Sequence, residues 1–155
     1  TVVDFGCGFS HFCLGMARLV GDAGEVIAVD LQQKALNKTM ARARKASSDK
    51  IIHPLCCGAN SVGLNKEVDF ILASNSLHET PDPGATLREF LAALKPGCLL
   101  YLMEPTTHLE PERFEAEVEM AKAVGFVQVD RPKVRKEMCA LLQKPASQES
   151  SGGSV

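Results

Sequence analysis

Three residues near the start of the chain, Asp4, Gly6 and Gly8, alternate with other residues in the stretch TVVDFGCGFSH. They follow a short apolar, β-branched run and precede helix-forming residues, so the pattern predicts a strand that ends in a tight turn. Glycines at such a turn let the backbone lie very close to a ligand. A carboxylate two residues before the first glycine repels a phosphate and attracts a cation. The spacing therefore indicates a ligand with a positive charge and no phosphate.

The two common phosphate-binding motifs do not fit this turn. The dehydrogenase fingerprint G-x-G-x-x-G requires a third glycine at the position where His11 stands. A Walker A loop requires Gly-Lys-Ser/Thr, which does not follow. An NAD-dependent oxidoreductase is therefore a disfavoured alternative.

A second carboxylate, Asp30, ends the second predicted strand. A carboxylate at this place accepts hydrogen bonds from both ribose hydroxyls of an adenosine, and charged hydrogen bonds of this kind contribute roughly 1.5–3 kcal/mol each. NAD enzymes use the same position, so Asp30 predicts an adenosine ligand without choosing between cofactors.

Short apolar runs alternate with segments of helical period along most of the chain. This alternation predicts an α/β domain with a mostly parallel sheet, in which the last two strands pair antiparallel. Such sheets bind ligands beyond the carboxyl ends of their strands, where the strand order reverses, and the glycine turn is expected there. Pro96-Gly97 predicts a stop after the third helix. The predicted strands are 2–5, 25–30, 51–55, 68–74, 98–104, 126–131 and 137–144, and the predicted helices are 12–20, 32–46, 83–95 and 110–124.

The D-x-G-x-G turn resembles motif I of the class I S-adenosylmethionine-dependent methyltransferases. Residues 76–105, SLHETPDPGATLREFLAALKPGCLLYLMEP, resemble the fourth-strand to fifth-strand segment of the small ubiquinone/menaquinone C-methyltransferase-like group, and residues 123–133, AVGFVQVDRPK, resemble part of its C-terminal half. The resemblance covers residues 1–144. It implies a Rossmann-like fold with a mostly parallel seven-stranded sheet, helices on both faces and an antiparallel last strand. It also implies S-adenosyl-L-methionine as the cofactor and direct displacement of its methyl group.

The resemblance implies a cofactor site in which the motif I acid faces the positive end of the cofactor and the glycines approach its methionine and ribose parts. The sequence departs from the family at Ser10, which stands at the usual third glycine, and at Gly58, where the family often places an acid near the adenine. Asn60 is then the residue expected to bond the adenine. The predicted cofactor-binding residues are Asp4, Gly6, Cys7, Gly8, Ser10, Asp30, Leu31, Ala59, Asn60 and Asn75.

His78 and Glu79 follow the fourth strand, next to the implied site of methyl transfer, and are the candidate catalytic residues. His78 is either a base or substrate-orienting residue, or part of a structural loop. Glu104 either faces the substrate or anchors its loop. The spacing of the cysteines and histidines predicts no metal site, and His11, His53 and His108 are expected to be structural. Cys56-Cys57 leaves a thiolate-bound acceptor such as arsenic as a minor alternative.

The composition restricts the classes of partner. The formal net charge is −2 and no Lys/Arg block stands out, which argues against nucleic acid. No apolar run approaches the roughly 20 residues of a membrane span. The absence of a signal-peptide pattern and the six cysteines without C-x-x-C pairs predict a reduced, cytoplasmic protein. The stretch SNSL lacks the Asn/Asp-Pro-Pro-aromatic signature of many DNA-base methyltransferases, so we expect a small-molecule acceptor, whose identity the sequence does not show.

The chain is expected to hold one methyltransferase domain at 1–144 and a small, polar, disordered tail at 145–155. Most members of the family carry a helical segment before the first strand that covers the cofactor, and we expect this domain to lack it. A homodimer or another partner is a candidate for covering the open site. The expected lack of a cover and the lost adenine-side acid motivate a second hypothesis, a non-catalytic interaction module with a methyltransferase fold.

Overall fold

The computed structural model describes residues 1–107 and 109–146, which leaves His108 and most of the predicted tail outside the described residues. The described part contains seven strands in one sheet, four helices and one short 3₁₀ turn at Leu77–Glu79. The helices are α1 (Cys13–Val20), α2 (Gln33–Lys45), α3 (Pro83–Ala93) and α4 (Pro111–Val124). The strands are β1 (Val2–Phe5), β2 (Val26–Asp30), β3 (Ile52–Cys56), β4 (Val68–Ser74), β5 (Leu94–Pro105), β6 (Val127–Asp130) and β7 (Glu137–Gln143).

The strand order is β3-β2-β1-β4-β5-β7-β6, which confirms the predicted sheet. The first five strands in this order are parallel, and β7 runs antiparallel to both β5 and β6. The chain moves outward from β1 to β3 and then returns to place β4 on the other side of β1. The strand order therefore reverses between β1 and β4, and a ligand site is expected beyond their carboxyl ends.

The sheet is covered by helices on both faces, as predicted. Alternate residues of β2 belong to different cores: Ile27 and Val29 pack with the helix α3–α4 side, whereas Val26 and Ala28 pack with the α1–α2 side. On the first side α3 contributes Leu87 and Phe90, and α4 contributes Phe114, Val118 and Ala121. On the second side lie Cys13, Ala17, Leu36 and Ala43. The alternation follows from the two-residue period of strand side chains.

The prediction that Pro96-Gly97 separates a helix from the next strand is wrong. Helix α3 ends at Ala93, and β5 already begins at Leu94, which pairs with Val68 of β4. The register then shifts before Phe70 pairs with Leu99, so the Pro-Gly pair lies in an irregular first part of the strand. Gly97 has a φ of 78°, a left-handed conformation that glycine adopts without a steric penalty. The breaker residues thus interrupt the pairing within the strand and do not form a separate loop.

Helix α3 begins where the sequence gives two start signals. The Asp82 side chain accepts a hydrogen bond of 2.8 Å from the backbone N–H of Ala85, and Pro83 occupies the first helical turn.

Within the described residues, none of the helices is both long and apolar enough to cross a bilayer.

Candidate active site

A cavity of about 420 Å³ lies beyond the carboxyl ends of β1, β2 and β4, at the point where the strand order reverses. Its wall combines the turn after β1, the end of β2, the segment after β3 and the segment after β4. The position is the one expected for a ligand in a doubly wound sheet. Six of the predicted cofactor-binding residues line it: Gly6, Gly8, Asp30, Leu31, Ala59 and Asn75.

The glycine turn has the backbone conformation that the sequence pattern requires. Gly6 and Gly8 have φ values of 70° and 51°, both in the left-handed region. A Cβ on Gly6 would lie 2.4 Å from the Cβ of Ser76, so the backbones after β1 and β4 approach each other too closely for any side chain. At Gly8 the nearest atom to such a Cβ is the Gly6 carbonyl at 4.0 Å, so this bare backbone faces open space.

Asp30 holds the turn and also faces the cavity. Its Oδ2 accepts a hydrogen bond of 2.9 Å from the Gly8 N–H, and its Oδ1 accepts one of 2.8 Å from the Gln32 N–H. A carboxylate has about four lone-pair positions, so two hydrogen bonds leave acceptor capacity on both oxygens. Asp30 is therefore oriented by the protein and still able to accept a pair of ligand hydroxyls.

Asp4, which is expected to face the positive end of the cofactor, does not belong to the lining of this cavity. It is buried on the α1–α2 side of β1, where its Oδ2 accepts a hydrogen bond of 2.9 Å from the Cys13 thiol. Its neighbours in the strand, Val3 and Phe5, point into the opposite core, so strand alternation places Asp4 behind the turn. Burial raises the pKa of the Asp4 carboxyl, and the Cys13 hydrogen bond opposes that rise.

Three further predicted cofactor residues also lie outside the cavity lining. Cys7 is buried in the α1–α2 core, and its N–H donates to the Val29 carbonyl at 3.0 Å. Ser10 is buried with a φ of 66°, so it occupies a left-handed position of the kind that glycine fills without strain. Asn60 is exposed at the tip of the segment after β3, while its neighbours Ala59 and Ser61 line the wall.

Helix α2 fixes the far side of the glycine turn. The hydroxyl of Thr39, which is fully buried, donates to the Gly8 carbonyl at 3.0 Å, and the Arg42 guanidinium donates to the Phe9 carbonyl. The Lys38 ammonium lies 4.2 Å from the centre of the Phe9 ring. The turn is thus held from α2 as well as from Asp30, and Phe9 and Leu31 leave half-exposed apolar surface at the mouth of the cavity.

The end of β4 turns back toward the cavity through Asn75. Asn75 has a φ of 53°, a left-handed conformation that asparagine tolerates better than most residues, and its N–H donates to the Met103 carbonyl at 2.8 Å. Asn75 and Glu79 belong both to the main cavity and to an adjoining depression that includes His78, Pro105 and Thr107. The depression shares these two residues with the main cavity, so it is the candidate acceptor site.

His78 is held by a carboxylate at the end of β5. Its Nδ1 lies 2.6 Å from Oε2 of Glu104, whose Oε1 accepts the Leu77 N–H at 3.2 Å. Glu104 is fully buried, and burial raises the pKa of its carboxyl, while the nearby His78 opposes the rise. A hydrogen bond from Nδ1 to this carboxylate leaves Nε2 as the nitrogen able to take up a proton.

A second buried carboxyl, Glu117 of α4, lies near this pair. Burial, together with the charge of Glu104, raises the pKa of Glu117 to about 7. Its Oε2 has no hydrogen-bond partner among the described residues. Arg113, one turn earlier on α4, donates to the His78 carbonyl at 3.2 Å, so α4 contacts the 3₁₀ turn from outside. Two buried acids, Glu104 of β5 and Glu117 of α4, thus lie near His78, and the pKa of Glu117 is near neutrality.

A comparison with known protein families identifies the family of this chain. A family model described as a methyltransferase domain matches residues 1–146. The chain belongs to this family. The resemblance seen in motif I and in residues 76–105 is therefore confirmed, and the match extends over residues 1–146.

The methyltransferase domain is also similar to curated proteins and to a solved structure. It is 28% identical over 111 residues to the demethylmenaquinone methyltransferase of Staphylococcus saprophyticus, covering 68% of this chain and 46% of that protein. It is 29% identical over 118 residues to the arsenite methyltransferase of Homo sapiens, covering 70% of this chain and 32% of that protein. The chain thus spans about half, or less, of the length of these relatives. A SAM-dependent methyltransferase structure from Aquifex aeolicus has a TM-score of 0.81 at 23% identity and covers 92% of this chain and 81% of that chain, which shows the shared fold.

The cofactor that the family implies is S-adenosylmethionine, and the charges around the cavity fit it. The carboxylic acids in the described lining are Asp30 and Glu79, and no lysine, arginine or histidine belongs to this lining. A negative site without cations suits a ligand with a sulfonium and an ammonium and disfavours the pyrophosphate of NAD. The bare backbone at Gly8 and the free acceptor capacity of Asp30 fit the nucleoside part of the same molecule.

Several residues that shape the methyltransferase site were not predicted. Ser76 closes against Gly6 and donates from its hydroxyl to the Phe5 carbonyl at 3.0 Å, and Thr80, Pro81 and Thr86 line the same cavity. The last three residues lie in the stretch HETPDPGAT. This stretch carries part of the family resemblance, but the resemblance did not predict which of its residues line the cavity. No group of three or more histidine, cysteine or acidic residues able to hold a metal is found among residues 1–107 and 109–146.

Proposed function

We propose that this domain transfers a methyl group from S-adenosylmethionine to a small-molecule acceptor. The observation that carries the proposal is the cavity at the strand-order reversal, where two left-handed glycines and a hydrogen-bonded Asp30 meet without any cationic side chain in the lining. A match of the family model over residues 1–146 supports the same activity.

Asp30 is the proposed ribose acceptor, and the glycine turn is the proposed contact for the rest of the nucleoside and the methionyl chain. Bound in this cavity, S-adenosylmethionine supplies an electrophilic methyl group on a positively charged sulfur. Asn75 and Glu79 are proposed to orient the two reactants toward each other, which is supported by their place in the lining of both the main cavity and the depression. The main contribution expected of the domain is to hold the acceptor nucleophile in line with the methyl carbon.

His78 is the proposed base for an acceptor that arrives protonated. Its Nδ1 contact of 2.6 Å to the buried Glu104 carboxylate orients the ring and stabilises the protonated form that follows proton uptake at Nε2. Glu79, which is exposed beside it, is proposed to contact the acceptor. Both proposals are supported by the lining of the depression, to which His78 and Glu79 belong, and by Glu79, which also lines the main cavity.

The acceptor class is proposed to be a small molecule with a nucleophilic carbon or heteroatom. The names of two relatives support small acceptors of different chemistry, a demethylmenaquinone in one and arsenite in the other. A methyl-transfer screen therefore begins with a demethylated quinol and with arsenite, and continues with pooled metabolites, each product being detected by mass spectrometry. A cytoplasmic location and a homodimer or partner that covers the site stay predictions from the sequence.

Calorimetric titration with S-adenosylhomocysteine, S-adenosylmethionine and NAD tests the proposal. We expect both sulfur-containing nucleosides to bind and NAD to give no measurable heat. Binding of NAD with no response to S-adenosylhomocysteine would contradict the proposed cofactor. Binding of S-adenosylhomocysteine with no methylated product in any screen would instead favour the non-catalytic interaction module.

A further inference from the structure

The segment between β3 and β4 forms one wall of the cofactor cavity. Five of its residues belong to the lining: Cys57, Gly58, Ala59, Ser61 and Val62. Its first residue is tied to the ribose side, because the Cys57 N–H donates to the Asp30 carbonyl at 3.0 Å. The rest of the segment closes on itself through the Gly58 N–H, which donates to the Ser61 carbonyl at 3.0 Å. This wall therefore extends the site beyond Asp30, on the side away from the contact between Gly6 and Ser76.

One carboxylate oxygen from a different element holds the end of this wall. Oε2 of Glu89 accepts hydrogen bonds from the Val62 N–H at 2.9 Å, from the Ser61 hydroxyl at 3.2 Å and from the Gly63 N–H at 3.4 Å. Hydrogen bonds to an ionised acceptor are shorter and stronger than those between neutral groups. Glu89 itself is absent from the cavity lining, so it acts on the wall from behind.

Helix α3 holds Glu89 in a fixed position beside this wall. Leu87 and Phe90 of the helix are fully buried against the sheet, and the Phe90 ring packs edge-on at 5.0 Å against Phe5, which lines the cavity. Thr86, one turn before Glu89, is itself part of the lining. Residues three apart lie on the same helix face, so Thr86 contacts the cavity space while Glu89 holds the neighbouring wall.

We propose that Glu89 is a positioning residue for the adenosine end of the cofactor. Its carboxylate fixes residues 61–63 against α3 and thereby sets the distance between the wall and the ribose acceptor Asp30. The family often has an acid after the third strand, where this chain has Gly58. Here a carboxylate from α3 orders that segment without touching the ligand. The proposal rests on the proposed cofactor and adds to it a residue that acts through the wall.

Amide hydrogen exchange tests the clamp without any ligand. Wild type, Glu89→Gln and Glu89→Ala are compared, with Glu119→Gln as the matched control because Glu119 is an exposed carboxylate on α4 whose partner is Lys122. We expect faster exchange at Val62 and Gly63 in Glu89→Ala, an intermediate rate in Glu89→Gln, which keeps one acceptor oxygen, and no change in the control. Unchanged exchange at both amides in both Glu89 variants would overturn the clamp.

Affinity for two ligands tests the role in cofactor binding. S-adenosylhomocysteine and 5′-methylthioadenosine share the adenosine end, and only the first has the amino-acid end. We expect Glu89→Ala to weaken both by about tenfold, which corresponds to about 1.4 kcal/mol, and Glu89→Gln to weaken both by less. Equal affinities in wild type and both variants, or a loss confined to S-adenosylhomocysteine, would overturn the proposal. If wild type binds neither ligand, the proposed cofactor fails together with this role, while the exchange rates still decide the clamp. If Glu89→Ala does not fold, Glu89→Gln decides both measurements.

Discussion

The two halves of the active site are built in different ways. On the cofactor side, the glycine turn and Asp30 are short, local features, and Asp30 reaches the Gly8 N–H directly at 2.9 Å. On the acceptor side, His78 depends on Glu104 of β5, and Glu117 of α4 lies behind that pair. The first half offers backbone and one partly buried carboxylate, Asp30, whereas the second has two carboxyls, Glu104 and Glu117, in the interior. The comparison indicates that cofactor binding and proton handling can be changed separately.

The largest expected effect is on the acceptor side. Replacing His78 by Gln removes the proposed base, and general base catalysis typically contributes about 10²–10⁴-fold to the rate. Turnover of the acceptor found by the screen should fall within that range, while affinity for S-adenosylhomocysteine stays unchanged because His78 does not line the main cavity. His53→Gln is the control, since His53 is exposed on β3. Equal turnover in wild type and His78→Gln would show that His78 is a structural residue of its loop.

The second effect is on the cofactor side. Asp30→Ala removes the proposed acceptor of two ribose hydroxyls, and we expect affinity for S-adenosylhomocysteine to fall by roughly 2–4 kcal/mol. Calorimetry measures this loss, and Asp49→Ala, at an exposed turn, is the control. Because Asp30 also accepts the Gly8 N–H, circular dichroism and thermal unfolding must show that the variant keeps its fold. An unchanged affinity would mean that Asp30 holds only the turn.

The difference between the two halves also explains what the sequence predicted. The mostly parallel seven-stranded sheet, the turn after β1 and the position of Asp30 at the end of β2 were predicted because apolar periodicity and a local motif determine them. The contact between His78 and Glu104 joins the 3₁₀ turn after β4 to the end of β5, and the Thr39 hydroxyl reaches the Gly8 carbonyl from helix α2, so no local pattern shows either. Asp4 was expected in the site because it precedes the glycines, but strand alternation points it to the opposite face.

A third prediction concerns the pH dependence of stability, which we expect the buried acid Glu117 to cause. The pKa of Glu117 is raised to about 7 from a usual value of 4.5. The folded state therefore holds a proton that the unfolded chain releases, and stability falls as the pH rises from about 4.5 to about 7. This linkage amounts to about 3 kcal/mol, since each pKa unit corresponds to 1.36 kcal/mol.

Glu117→Gln carries no ionisable group at this position and should lose this part of the pH dependence. Denaturant unfolding of wild type and variant at pH 5 and pH 8 measures the difference, with Glu119→Gln as the control on an exposed part of the same helix. The free energy of unfolding of the variant, relative to wild type, should rise between the two pH values. A constant difference would show that burial and the charge of Glu104 do not raise the pKa of Glu117.

The smallest expected effect separates backbone geometry from chemistry on the cofactor side. Gly6→Ala places a Cβ within 2.4 Å of the Ser76 Cβ at a residue with a φ of 70°. A strained left-handed residue costs about 1–3 kcal/mol. The free energy of unfolding of the variant should therefore be lower by that amount, and its affinity for S-adenosylhomocysteine should be weaker. Gly15→Ala is the matched control, because Gly15 lies in α1 with nothing within 4 Å of the added Cβ. Alanine in a helix is favoured over glycine by roughly 0.5–1 kcal/mol, so this control should be slightly more stable than wild type. If both variants had the same stability, the close approach of the backbones after β1 and β4 would not be what requires glycine in the turn.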